Sequence, residues 1–263
     1  MLEINFEVNE EIIARRLLED NRMPVDIANY LWDKYRMSYM ALQRSFLAEN
    51  IDKNLIEELC KQKFFRKIVQ DSKNNMARIE KNWKENQLII NNFLKKILKL
   101  ELNLQVTAYI VPPEYNQFIG SFKKGNKFIW GHWKALEDKN YELVYLVHES
   151  LHSYFERGEL THAIIEKISD IELARFLNKT ENHYAYHKEN QEEHIKIYPF
   201  WNLYLNKTKE EIIKDQKFTK ISYDIEKYEK YREILSKLNI DEFLQFAKEN
   251  ENTINYQTYY EIE

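Results

Sequence analysis

The sequence contains very little cysteine, glycine and proline for a chain of 263 residues. Its single cysteine, Cys60, excludes an internal disulfide framework and a cysteine-rich zinc module. All four glycines lie between Gly120 and Gly158, and two of the four prolines, Pro112 and Pro113, lie just before them. Because glycine and proline mark turns and irregular backbone, we expect the irregular part of the fold between residues 112 and 158 and helices elsewhere.

The chain also lacks a large excess of charge and a long apolar run. The formal net charge of −4 comes from 39 basic and 43 acidic residues, which are interspersed. There is no basic stripe with interleaved aromatic residues, so we do not expect nucleic acid as a partner. No apolar run approaches the length of a membrane span, and the N-terminal residues show no secretory signal pattern. We therefore expect a soluble cytoplasmic protein without a membrane partner.

Apolar periodicity predicts an α+β fold in which helices predominate. We expect a helical N-terminal region over residues 1–100, a core over 101–206 and a helical C-terminal region over 207–263, packed as one compact unit. Within the first region, the pattern predicts helices over residues 8–21, from Pro24 to about Asn50, from Asp52 to about Gln70, and from Ser72 through Ile97.

Two short segments of the expected core have the pattern of β-structure. Residues 104–111 alternate and are rich in β-branched side chains, which predicts a strand. Residues 118–122 and 127–130 flank Lys123–Asn126, which contains a glycine, and this arrangement predicts a β-hairpin. The sequence therefore predicts a small sheet immediately before the segment that carries the clearest chemical motif.

That motif is the sequence His148-Glu149-Ser150-Leu151-His152. Residues four apart share one face of a helix, so His148 and His152 can bind one metal ion from the same side. Glu149, one residue further round, is then placed beside the metal-bound water as a general base. The helix is expected to begin at Asp138 or Asn140 and to run through Phe155 to Gly158.

The motif helix is apolar almost all round, which predicts that it is central and buried. Burying a glutamate flanked by two histidines in such a helix costs free energy unless something binds there. This favours a metal site over a purely structural role.

A second helix is expected to supply a third ligand. If it begins with Thr161 as N-cap and folds back around Glu159, Glu166 lies level with His152. Asp170 is as far beyond Glu159 as His148 is before it, so these two residues also lie level with each other. The Asp170 carboxylate can then accept a hydrogen bond from the second ring nitrogen of His148.

These residues resemble the gluzincin zinc metallopeptidases, of which thermolysin is a member. Gluzincins carry H-E-x-x-H followed, on a later helix, by Glu-x-x-x-Asp, which stands here as Glu166-Lys167-Ile168-Ser169-Asp170. The resemblance implies one zinc ion per chain held by His148, His152 and Glu166. It further implies Glu149 as catalytic base and Asp170 as the residue that orients His148.

The resemblance covers the segment from about Asn126 to Leu177 and leaves the subfamily open. It implies a catalytic core made of a small sheet, the motif helix and the glutamate helix, embedded between the helical N- and C-terminal regions. It also implies a peptide or protein substrate that an edge strand holds in extended form. The strand that ends at Trp130-Gly131 is the candidate, and an ordinary core strand is the alternative.

Five further histidines lie outside the motif. His183, His187 and His194 are spaced so that a helix would align them, and either His187 or His194 is a candidate for stabilising the transition state. The alternatives for this stripe are a second metal site or a polar surface without a ligand. His132 and His162 are expected to be structural.

Three functions are compatible with these patterns. The first is zinc-dependent peptide hydrolysis by a metal-activated water, with Glu149 as general base. The second is a regulatory protease resembling the ImmA/IrrE type, which acts on one partner protein. The third is a non-catalytic helical interaction protein whose zinc is structural or absent.

Overall fold

The computed structural model describes residues 1–19, 25–36, 38, 48–113, 125–132, 134–180, 191–219 and 221–250. These residues are predominantly helical and contain one small three-stranded sheet, which confirms the α+β class expected from the sequence. The elements are, in chain order, β1 (Leu2–Glu7), α1 (Glu10–Glu19), α2 (Val25–Tyr35), α3 (Ala48–Cys60), α4 (Lys63–Leu98), β2 (Leu104–Ile110), β3 (Lys127–Trp130), α5 (Lys134–Glu137), α6 (Lys139–Leu151), α7 (Glu159–Glu166), a π-helical segment (Lys167–Leu173), α8 (Ala174–Asn178), α9 (Gln191–Tyr204), α10 (Lys209–Thr219), α11 (Ile225–Glu229), α12 (Arg232–Leu235) and α13 (Ile240–Asn250).

The predicted extent of the second helix is wrong. It was expected to run from Pro24 to about Asn50, whereas α2 ends at Tyr35. Arg36 follows with a φ of 55°, and its N–H donates to the carbonyl of Trp32. A residue in this left-handed conformation ends a helix, and apolar periodicity does not reveal it. The next helix in the described part of the chain, α3, begins at Ala48, before the predicted N-cap Asp52.

The predicted boundary between the third and fourth helices is also wrong. The helical conformation is interrupted at Lys61–Gln62. α4 then begins at Lys63 and runs for 36 residues, through Ser72. The Ser72 hydroxyl is buried and donates to the carbonyl of Ile68, so it bonds within the helix and does not cap one. Although α4 is long, no helix in the described part of the chain is apolar enough over sufficient length to cross a membrane.

The sheet has the order β1-β2-β3. The strand predicted over residues 104–111 is confirmed as β2, and β1 is a strand that the sequence patterns did not predict. β3 runs parallel to β2, with Ala108 opposite Phe128 and Ile110 opposite Trp130. The first strand of the predicted hairpin, residues 118–122, lies outside the described residues.

Gly131 allows the chain to pass close to the end of β2. A Cβ atom at this position would lie 2.4 Å from the carbonyl oxygen of Val111, well inside van der Waals contact. The hydrogen bond from the Val111 N–H to the Trp130 carbonyl, at 3.0 Å, fixes the two segments at this spacing. Glycine is therefore required here for steric reasons.

The chain divides into two compact units. The N-terminal unit comprises Glu3–Asn86 and Gln105–Ser150, and the C-terminal unit comprises Met1–Leu2, Gln87–Leu104 and Leu151–Glu263. The three regions expected from the sequence, 1–100, 101–206 and 207–263, stay a prediction.

Each unit has its own apolar core. In the N-terminal unit, one cluster joins the first four helices to the sheet through residues that include Leu17, Leu31, Leu59, Phe65 and Ile129. In the C-terminal unit, α9 and α13 pack through aromatic rings, and the centroids of Tyr204 and Phe243 lie 4.6 Å apart. Aromatic pairs of this kind stabilise a core beyond the area that they bury.

Within the N-terminal unit, the motif helix α6 is fixed at its start. The Asp138 carboxylate accepts the N–H groups of Asn140 at 2.9 Å and Tyr141 at 3.0 Å, which confirms the predicted start of the helix. One turn on, the fully buried carboxylate of Glu142 accepts two hydrogen bonds from Arg78 at 3.1 and 2.6 Å. Asn82 donates a third at 2.9 Å. These bonds anchor α6 on α4.

We predict that Glu142→Ala lowers the free energy of unfolding by about 3 kcal/mol, because it leaves the Arg78 guanidinium and the Asn82 amide without their buried acceptor. Urea denaturation measures the loss. Glu137→Ala removes an exposed carboxylate on α5 and is the matched control. An equal decrease in the free energy of unfolding in the two variants would contradict an anchoring role for Glu142.

Candidate metal centre

The first two residues of the motif, His148 and Glu149, lie at the end of α6. His148 and Glu149 are both buried, at 3% and 5% exposure, as the apolar pattern of the helix predicted. The expected extent of the helix is wrong, because α6 ends at Leu151 rather than near Gly158. The N–H groups of Tyr154 and Phe155 both donate to the Leu151 carbonyl, which closes the chain into a turn. His152 is the first residue of that turn and is half-buried.

The following helix begins three residues earlier than expected, because its N-cap is Gly158 and not Thr161. α7 starts at Glu159, and the His162 N–H donates to the carbonyl of Gly158 at 2.9 Å. Thr161, the predicted N-cap, is instead buried in the first turn. An acidic residue in the first turn of a helix is stabilised by the helix dipole, which favours Glu159 there. His162 and Glu166 consequently lie on one face of α7, four residues apart.

Three imidazoles converge at this place. The ligand atoms of His148, His152 and His162 all lie within 4.8 Å of one another. The rings of His152 and His162 meet edge to face, with centroids 4.8 Å apart. His162 was expected to be structural, so this placement revises its interpretation. The sequence contains one signal for this placement: His162 stands four residues before Glu166, so the two side chains are expected on the same face of a helix.

The donor set fits a zinc ion. Zinc binds imidazole nitrogen at about 2.0–2.1 Å, so nitrogens at tetrahedral positions lie about 3.4 Å apart. The three histidines approach that spacing, and rotation of their side chains can supply the remaining difference. Three nitrogen donors leave a fourth position for water, which is the ligand count of a catalytic zinc site.

Glu166 lies against His162 of this cluster and against a further imidazole, that of His194. Its side chain is fully buried, with Oε2 at 2.5 Å from Nε2 of His194 and Oε1 at 3.7 Å from Nε2 of His162. The carboxylate therefore reaches the histidine cluster through His162. Its predicted role as a direct zinc ligand stays a prediction.

His194 is the partner that holds one oxygen of Glu166. It lies on α9, is fully buried, and has its pKa lowered by burial to about 4, an effect larger than the opposing influence of Glu166. The imidazole is therefore neutral at pH 7, and we assign its one proton to Nε2, which donates to Oε2 of Glu166. Transition-state stabilisation by His194 stays a prediction, and His187 lies outside the described residues.

Asp170 lies in the π-helical segment that directly follows Glu166. Its carboxylate is buried, and Oδ1 lies 2.8 Å from the Ser169 hydroxyl oxygen. Its predicted hydrogen bond to His148 stays a prediction. A π-helical turn widens the helix and often occurs at functional sites. Periodicity in the sequence did not predict it.

A network of charges around the buried carboxylate of Asp215 fixes the helix beyond Glu166 within the C-terminal unit. Arg175 and Lys207 each bind Asp215, at 2.8 and 2.9 Å, and Lys207 also donates to Glu172 at 2.9 Å. Nearby, Nζ of Lys167 lies 3.6 Å from the centroid of the Tyr198 ring, and burial lowers the pKa of this amine well below its ordinary value.

Comparison with protein-family models, with curated protein sequences and with solved structures finds no match to this chain. The resemblance to the gluzincins therefore rests on the motif residues themselves. The function must be argued from the chemistry of those residues and from their placement.

We predict that Asp215→Asn lowers the free energy of unfolding by about 2–4 kcal/mol at pH 7, because it leaves the Arg175 and Lys207 cations without their shared buried anion. Burial raises the pKa of the Asp215 carboxyl, but Lys207 and Arg175 together outweigh burial and hold it below its ordinary value. The stabilisation by Asp215 is therefore present above the unfolded pKa of about 4 and is lost as the pH falls through the lower folded pKa.

Denaturation of wild type and variant between pH 7 and pH 3 measures this effect. The difference between them is expected to shrink as the pH falls below about 4. Asp224→Asn is the control, because it removes an exposed carboxylate but keeps a side-chain oxygen that can accept the Glu226 N–H at the start of α11. If the difference in unfolding free energy between wild type and Asp215→Asn does not change with pH, the stabilisation does not come from the charge of Asp215.

Proposed function

We propose that this protein is a zinc-dependent peptidase. The observation that carries the proposal is the convergence of the ligand atoms of His148, His152 and His162 within 4.8 Å, with Glu149 next to the first of them. The resemblance of the motif and of Glu166-x-x-x-Asp170 to the gluzincins supports peptide hydrolysis as the reaction.

The donor residues of such a site come from two segments. His148 binds from the end of α6 and His152 from the turn that follows it, and the third donor comes from the face of α7 that carries His162 and Glu166. When bound, zinc lowers the pKa of a water molecule and polarises the scissile carbonyl.

Glu149 then acts as the general acid and base. Its carboxylate takes a proton from the attacking water and delivers it to the nitrogen of the leaving amine, so that both products leave with the correct number of protons. The residue is buried at the end of an apolar helix, where little bulk water competes for its carboxylate oxygens.

β3 is the strand that we propose to hold the substrate. Among the described strands it is an edge of the sheet, since β2 pairs with it on one side only. An extended peptide can add to such an edge through main-chain hydrogen bonds. A peptide or unfolded protein segment therefore suits this site better than a compact small molecule.

We predict that Glu149→Gln lowers the rate of peptide hydrolysis by a factor of about 10²–10⁴, since the amide cannot accept the proton of water. Hydrolysis of a fluorogenic peptide library measures the rate. The zinc content of the variant should equal that of the wild type, because Glu149 is not a ligand in this scheme.

Glu137→Gln is the matched control, because it makes the same chemical change at an exposed position on the preceding helix. It is expected to leave hydrolysis unchanged. A Glu149→Gln variant with full activity, or a wild type that binds zinc but cleaves no peptide in the library, would count against the proposed reaction.

A further inference from the structure

We infer that His162 is the third protein ligand of the metal, and that Glu166 and His194 form an outer pair that orients it. This departs from the gluzincin pattern, in which the glutamate binds zinc directly. The inference rests on the proposed function in requiring that a metal binds at His148 and His152, but it does not depend on the reaction catalysed.

The first argument is the position of the donor atoms. His162 offers a nitrogen within 4.8 Å of the ligand atoms of both motif histidines. Its ring already meets that of His152 edge to face. This separation is within about 1.4 Å of the nitrogen spacing in a tetrahedral zinc site, so we expect small side-chain rotations to complete the site when a metal binds.

The second argument is that Glu166 is already engaged elsewhere. Its Oε2 accepts the hydrogen bond of His194 at 2.5 Å, and both side chains are fully buried. If the carboxylate rotated away to bind a metal, the His194 N–H would lose this acceptor in a place from which water is excluded. Leaving a buried donor without that bond destabilises the folded protein, because no water replaces the lost acceptor.

The third argument is the remaining oxygen of Glu166. Oε1 lies 3.7 Å from Nε2 of His162, within about an ångström of hydrogen-bonding distance. An imidazole whose Nε2–H points at a carboxylate has its lone pair on Nδ1, on the other side of the ring. A carboxylate that orients a metal-binding imidazole in this way is a common outer-shell arrangement.

The consequence is a site of three imidazoles with an open fourth position. Glu149 and Glu166 then lie near the metal as two carboxylates with different tasks. Glu149 moves protons, whereas Glu166 holds the ring of His162 and is itself held by His194. Glu166 and His194 are positioning residues in this scheme.

The test uses cobalt(II) as the probe and cysteine as a reporter of ligation. A cysteine that binds cobalt gives a thiolate-to-metal charge-transfer band in the near ultraviolet, which a residue in a merely structural role cannot produce. We predict that His162→Cys shows this band on titration with cobalt and that Glu166→Cys does not. Wild type is the control for the native thiol, Cys60.

Affinity measurements provide the second readout. Competition with a chromogenic chelator should show that His162→Ala weakens zinc binding as strongly as His148→Ala. Glu166→Gln and His194→Gln should each weaken it about 10–100-fold, as outer-shell changes do. His132→Ala is the control, because this histidine accepts a bond from the Lys134 N–H through Nδ1 and is not one of the three converging residues.

The opposite pattern would overturn the inference. A charge-transfer band in Glu166→Cys but not in His162→Cys, together with zinc binding unaffected by His162→Ala, would make Glu166 the ligand and leave the proposed function intact. A wild type that binds neither zinc nor cobalt would instead refute the proposed function itself. If His162→Ala fails to fold, His162→Cys with its cobalt spectrum still decides between the two assignments.

Discussion

The hydrogen bond between the buried His194 and Glu166 is the interaction on which the candidate site depends. It ties α9 to α7 inside the C-terminal unit, and both side chains are fully buried. A buried carboxylate is stable only when its oxygens are bonded, so this bond restricts where the other oxygen can point. That oxygen faces His162, and the orientation of His162 follows from it.

The same rule explains how the rest of the site is supported. Two further buried carboxylates have charged or polar partners: Arg78 and Asn82 bind Glu142 on the motif helix, and Lys207 and Arg175 bind Asp215 beyond the π-helical segment. Each network lies within one unit. Their value lies less in net stability than in fixing which helix faces can present donor atoms.

The sequence was sufficient to predict features that depend on local chemistry. The buried motif helix follows from its apolar residues, its start from the Asp138 cap, and β2 from alternation. Features set by local backbone geometry were missed, such as the end of α2 at Tyr35, before the left-handed Arg36, and the turn that ends α6 at Leu151. The partnership of Glu166 with His194 was missed because it joins residues 28 apart on different helices, which periodicity does not relate.

The most direct measurement of the central claim is the metal content of the purified protein after incubation with zinc and removal of excess ion, for wild type beside His148→Ala. This account predicts about one zinc per chain in wild type and very little in the variant, because the histidines bind as a set. Wild-type protein that retains no zinc, or a variant that retains as much as wild type, would contradict the existence of a metal centre at this motif.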